Sequence, residues 1–211
     1  MRNQRAGGHN ERQRSIWREY AEALGMAILL ALFIRTFIVQ AFKIPSGSML
    51  PTLQVGDHLL VNKFIYGVRI PLLGKRLFAF HQPERGDVIV FIYPQDRSKD
   101  FIKRVIGLPG ERVEIKNKVV YINGKKIPDP HAYYQPIDPR LARRPRDNFG
   151  PYEVPPGHVF VLGDNRDHSH DSRFWGSVPI NDILGKAFIL YWSWDSGRFR
   201  PRWSRIGMRI R

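Results

Sequence analysis

Short blocks of β-branched and aromatic residues, separated by Gly, Pro and polar turns, fill most of this 211-residue chain. Runs at Asp57–Phe64, Asp87–Tyr93 and Phe101–Ile106 have the length and residue choice of strands, with breakers at their borders. Arg112–Lys116 and Lys118–Ile122, with Asn123-Gly124 behind them, predict a hairpin or small meander. Strand character returns at His158–Leu162 and Lys186–Trp192. Between residues 128 and 157, prolines and scattered arginines erase the periodicity and predict a loop-rich insertion. No repeat of solenoid length is present. The pattern predicts a mainly β protein.

The start of the chain follows a different rule. Ala23–Ile34 is uninterrupted apolar sequence, Arg35 breaks it, and Thr36–Phe42 resumes without charge. A membrane-spanning helix needs about 20 mostly apolar residues, and the window 23–42 reaches this only by including Arg35. A charged side chain near one end of a span can snorkel to the interface, so Arg35 is tolerable there. A cleaved signal peptide also has a basic start and an apolar core, and Val39-Gln40-Ala41 offers a small residue near a cut. A buried core helix is the third option. The added length of Phe37–Phe42 favours one retained N-terminal transmembrane helix. The expected organisation is a basic cytoplasmic tail (1–19), an anchor (20–42) and an extracytoplasmic portion (43–211). Periplasm and extracellular space look alike from here.

Composition sharpens this only in part. Hydrophobic residues make up 43% and aromatics 12%, enough for a real core. The absence of cysteine excludes disulfides, thiol catalysis and thiolate metal sites. A formal charge of +15 admits nucleic acid, an acidic partner or an anionic membrane surface. The arginines gather in the N-terminal tail, at Arg140–Arg146 and in the last 14 residues. No recognition helix or aromatic RNA motif accompanies them, so no nucleic-acid partner is expected. The final Arg/Trp segment suits a bilayer surface, with a solvated basic tail as the alternative.

Candidate chemistry sits in three stretches. Ile44-Pro-Ser-Gly-Ser-Met-Leu-Pro-Thr52 is a stiff loop, since Pro45 and Pro51 fix φ and remove two donors. It can hold one hydroxyl exposed with backbone N–H groups aimed at the same spot. A serine becomes a nucleophile only beside a base. One source of a base is Gly163-Asp-Asn-Arg-Asp-His-Ser-His-Asp-Ser-Arg173, where His168 or His170 would complete a Ser-His-Asp triad. No Gly-x-Ser-x-Gly elbow supports that arrangement, and no ligand set for a metal or other cofactor emerges. The other source is Lys103, which alternation places with Phe101 and Val105 on one face of a strand, with Arg104 on the other. An ordinary edge strand would let both cations snorkel to water. An ordinary lysine is neutral in only about one molecule in 2,500 at pH 7, whereas a pKa near 8 leaves roughly a tenth neutral. A Ser–Lys pair therefore requires Lys103 in a dry site without a carboxylate partner.

These blocks, in this order, resemble bacterial type I signal peptidases, the membrane-anchored serine proteases that trim exported preproteins. The resemblance runs from about residue 23 to 195 and includes Arg85-Gly-Asp-Val-Ile-Val-Phe beside the stretches above. It implies a β catalytic domain with a small β-rich insertion, here about 112–157. It implies Ser48 as nucleophile, Lys103 as general base and no cofactor or metal. The oxyanion hole would be the Ser48 N–H and the Ser46 hydroxyl. Ser169 would orient the lysine, with Asp171 and Arg173 bracing the site as a salt bridge, supported by Asp164 and Asn165. Substrates would be signal-peptide-bearing preproteins cut after Ala-x-Ala, with the lipid bilayer as second partner. Met49, Ile44 and Phe42 are candidate neighbours of the substrate pockets. Two other readings remain: a Ser–Lys self-cleaving repressor, which would need a DNA-binding domain ahead of the serine, and a silent tethered β-domain.

Overall fold

The computed structural model describes residues 16–69, 76–77, 81–135 and 146–211. The first 15 residues and most of Arg140–Arg146 lie outside these. The described residues begin with helix α1 (Ile16–Phe33), continue through one wider turn at Ile34–Ile38, and then become extended. The strands that follow are β1 (Val39–Lys43), β2 (Asp57–Asn62), β3 (Val68–Arg69), β4 (Arg76–Leu77), β5 (Val88–Ile92), β6 (Asp100–Gly107) and β7 (Arg112–Lys116). Then come β8 (Val119–Ile122), β9 (Lys125–Lys126), β10 (Phe149–Glu153), β11 (His158–Leu162), the short helix α2 (Ser172–Trp175), β12 (Val178–Pro179), β13 (Ile183–Asp195) and β14 (Arg200–Pro201).

The main sheet has eight strands in the order β1-β2-β13-β5-β6-β11-β12, with β14 beside β13. Every neighbour in it is antiparallel. β13 is 13 residues long and serves three partners, crossing from β5 near its start to β2 along most of its length, with register shifts, and meeting β14 at its end. Gly185 lies at that crossing, where a Cβ would stand 2.3 Å from the Asn62 carbonyl oxygen. β5 is buried on both faces from Val88 to Phe91, which is why it reads as a continuous apolar run. Leu59, Val61, Val90 and Leu190 pack on one side with Met49 and Leu53, while Ile89, Phe91, Val105 and Val161 pack on the other.

Two expectations change here. The apolar window 20–42 is not one helix: Val39–Lys43 pairs antiparallel with β2, Val39 opposite Asn62 and Lys43 opposite His58. The backbone hydrogen bonds of β2 capture this end of the run, and β-branched Val39 suits that role. Among the described residues no helix is long and apolar enough to cross a membrane. The described part of 128–157 also holds a strand that its prolines do not suggest. β10 pairs with β7 at one edge of a second, four-stranded sheet, order β10-β7-β8-β9. Pro151 is tolerated because an edge strand can spare a donor. The apolar side of that sheet, Val113, Ile115 and Val120, shares a core with Ile106, Phe160 and Leu162 of the main sheet.

Candidate active site

The loop from Ile44 to Gly56 is closed at its base by Ile44 N–H to the Asp57 carbonyl (2.8 Å) and Gly56 N–H to the Ile44 carbonyl (3.1 Å). Met49 and Leu53 are fully buried in the core and pin the loop from beneath. Ser48, one residue before this anchor, is almost buried, while Ser46 stands exposed. The hydroxyls of Ser46 and Ser48 are 3.4 Å apart. Among the described residues the Ser48 N–H has no acceptor. The loop is clamped from above by Asn165, whose N–H donates to the Ser48 carbonyl and whose side-chain amide donates to the Gly47 carbonyl, both at 3.1 Å. Thr52 donates to Asp164 at 2.6 Å.

Lys103 comes to this serine from β6. That strand lies between β5 and β11 rather than at an edge, so its cations cannot escape to water, and Lys103 is 4% exposed. Its Nζ donates to Ser48 Oγ at 2.9 Å and to the Ile102 carbonyl at 2.8 Å, and lies 5.4 Å from the centre of the Phe101 ring. Burial pushes the amine down from its ordinary range to about 8, against a smaller upward pull from Asp171 and Asp164. Those two carboxylates do not pair with it because each has its own arginine. Asp164 takes Arg104 through two bonds of 2.8 and 2.7 Å, and Asp171 takes Arg173 through two of 2.8 and 2.9 Å. Burial alone would raise Asp171, but Arg173 and the Gly163 N–H hold it below the usual carboxylate range.

The residues expected from the sequence therefore meet at one place: Ser48, Lys103 and Ser46 at the front, with Asp164, Asn165, Ser169, Asp171 and Arg173 behind. Ser169 is buried; its hydroxyl makes no hydrogen bond to Lys103 and leans toward the Asp171 carboxylate, helping to hold that group below its usual range. His168 and His170 are exposed, and His170 meets the Tyr93 hydroxyl at 3.2 Å, so neither serves Ser48. Ile44 and Met49 belong to the core rather than to an open pocket, since fixing the loop requires burying them. Phe42 is partly buried against the same core.

Some contributors were not expected. Gly163 has no room for a side chain, because a Cβ would sit 2.2 Å from Ser169 Oγ and 2.5 Å from the Ser48 carbonyl oxygen. Arg166 reaches Asp129 through two bonds, and Tyr133 exchanges backbone bonds with Asp164 (2.7 Å) and Arg166 (2.9 Å). Asp129 and Tyr133 thus brace the loop at Asp164–Arg166. Nothing in local sequence marks a glycine as a contact point for a loop more than 100 residues away.

The profile of the family described as "Signal peptidase, peptidase S26" matches residues 17–192. The chain belongs to that family. Its relatives include the protein named signal peptidase I of Pseudomonas fluorescens, 38% identical over 90% of this chain and 78% of that one. Another is signal peptidase I of Leptolyngbya laminosa, 42% identical over 82% of this chain and 79% of its own. A solved signal peptidase I from Enterococcus faecalis is 32% identical and covers 50% of this chain and 97% of its own, with a TM-score of 0.39. As a member of the peptidase S26 family, of the bacterial type I class, the chain is a serine endopeptidase.

Proposed function

We propose that the chain removes signal peptides from exported preproteins, cutting after small residues of the Ala-x-Ala type, with Ser48 as nucleophile and Lys103 as general base. The observation that carries this reading is the 2.9 Å contact between Ser48 Oγ and an amine that is buried and unpaired with any carboxylate among the described residues. With the pKa at about 8, roughly a tenth of Lys103 is neutral at pH 7. In that state the hydrogen bond reverses and Ser48 O–H donates to the amine. Lys103 takes the proton as Oγ attacks the scissile carbonyl carbon. The Ser48 N–H and the Ser46 hydroxyl receive the developing oxyanion. When the tetrahedral intermediate collapses, the Lys103 ammonium passes its proton to the departing amine. Water, deprotonated by the same lysine, then releases the acyl group. Ser169, buried in the same cluster beside Asp171, is assigned to orient the lysine.

We further propose that the chain is tethered to the cytoplasmic membrane by α1 and the turn after it. The N-terminal arginines would stay on the cytoplasmic side, with residues 43–211 beyond the bilayer and 112–157 as their insertion. In support, Leu24, Met26, Leu29 and Leu30 on α1 are all at least 60% exposed, an apolar surface that water does not favour. Ala23–Ile38 makes about 24 Å of helix, which local thinning and a snorkelling Arg35 bring within reach of a bilayer core of about 30 Å.

Cleavage of a purified preprotein in detergent tests the chemistry. Ser48→Ala and Lys103→Ala each lower kcat by about 10⁴-fold or more. Near-normal cleavage by either variant overturns the mechanism.

A further inference from the structure

The longest strand of the molecule ends in an unusual edge. After Asp195, β13 turns through residues 196–199, returns as β14 beside Trp194 and Asp195, and closes in a helical turn at Trp203–Arg205. Against this hairpin lies an open cavity of about 790 Å³ whose wall includes Gln54, Arg198, Arg200, Arg202 and Arg205. Two of these cations have structural work. Arg205 grips Asp57 and, at 2.8 Å, the Thr52 carbonyl; Arg202 donates to the Val55 carbonyl (3.1 Å) and the Ser193 hydroxyl (3.3 Å). Arg198 and Arg200 are exposed, and among the described residues neither side chain reaches a carboxylate within salt-bridge distance, although the Arg198 N–H donates to Asp195 and its charge helps hold that carboxylate down. Asp195 is the one carboxylate on the wall.

The rim is apolar. Phe199, between the two unpaired arginines, is 83% exposed, and its φ of +48° is a backbone conformation that an aromatic residue rarely adopts. Trp203 is 71% exposed and is steadied edge-on by Trp192, at 6.1 Å between ring centres. Unpaired guanidinium groups suit the planar oxygens of a phosphate, and indole and phenyl rings suit the boundary between head groups and acyl chains.

We propose that this cavity binds the phosphodiester head group of an anionic membrane lipid, with Arg198 and Arg200 on the phosphate and Phe199 and Trp203 entering the interface. Charge complementarity argues for it, as does the pairing of exposed rings with exposed cations on one hairpin. The proposal rests on the membrane tether above. Its consequence lies at the active site. Gln54 on the cavity wall and Ser48 share one loop, and Arg205 holds that loop at Thr52. Lipid docking therefore sets the nucleophile loop against the bilayer surface.

The test uses the full chain reconstituted in vesicles whose acyl chains carry bromine, which quenches nearby tryptophan fluorescence. Comparison with Trp203→Phe isolates the Trp203 signal. Quenching of Trp203 is expected to be about twofold or more stronger in phosphatidylglycerol than in phosphatidylcholine vesicles, in line with the attraction of anionic surfaces for each arginine. The double variant Arg198→Gln/Arg200→Gln brings the phosphatidylglycerol value down to the phosphatidylcholine one. Absence of Trp203 quenching in both vesicles overturns the docking. Equal quenching that ignores the arginine changes overturns the head-group site. Loss of quenching on adding millimolar glycerol phosphate makes the ligand a free phosphate and overturns the commitment to lipid. Preprotein cleavage by the double variant in detergent stays at the parent rate, which separates failure of this site from failure of the proposed chemistry.

Discussion

Lys103 and Arg104 are neighbours on β6, both nearly water-free, yet the protein treats their charges in opposite ways. Arg104 is 2% exposed and fully compensated: two bonds to Asp164 and a third, at 2.7 Å, to the Gly86 carbonyl. Lys103 is equally buried and receives only a hydroxyl and a carbonyl. Removing an ion from water without a counter-ion is costly, and for lysine the least costly escape is to lose the proton. Arginine has no such escape, because it stays protonated under any ordinary condition. The comparison teaches that a compensated cation can be architecture while an uncompensated one becomes a base. It also explains the arginines behind the site. By occupying Asp164 and Asp171, Arg104 and Arg173 keep two carboxylates from neutralising the lysine.

The strongest test of this contrast breaks the compensated side. Asp164→Ala strands a buried guanidinium and removes the acceptor for Thr52, and should cost about 3–5 kcal/mol of stability in chemical denaturation. A loss under about 1 kcal/mol would mean that Arg104 finds water, and the contrast would fail.

The opposite change on the other side should help the fold. Lys103 has a folded pKa of about 8 against 10.5 when exposed, so below pH 8 the folded chain holds a proton in a site that disfavours it. Between those values the unfolded chain binds the proton that the folded one has released, and stability rises with pH. Lys103→Met removes this penalty and should stabilise the protein by about 3 kcal/mol at pH 7. The gain should shrink as pH climbs from about 8 to 10.5. A variant less stable than the parent at pH 7 would contradict the desolvation argument.

The smallest effect is graded. With Lys103 as base, kcat/KM on a preprotein should rise about tenfold per pH unit below roughly pH 8 and level off above it. A profile flat between pH 6 and 9 would show that no group with this pKa controls the reaction.

Much of this was legible in residue order. Val88–Ile92 and Phe101–Ile106 could be read as strands because β-branched runs between breakers have few other uses. Ser48 and Lys103 could be named through the family resemblance that their two blocks carry, and the fold brings those blocks together. β1 was hidden inside an apolar run that fits a helix just as well, since only pairing with β2 distinguishes them. β10 was hidden by Gly150-Pro151, which signal a break unless the strand lies at an edge. The two basic residues of β6 were compatible with an exposed edge until β5 and β11 were seen on either side.

Local chemistry by itself determined that this chain is mainly β, that Ser46 and Ser48 share a stiff turn, and that Lys103 alternates with Phe101 and Val105 on one strand face. Those properties depend on neighbours within a few residues, where sterics and side-chain type decide. Only the tertiary structure decided that the amine is dry, that Asp164 and Asp171 are already taken, and that Gly163 must leave room for Ser48. Burial and compensation depend on groups brought together from across the chain, and a charge acquires its pKa from that enclosure.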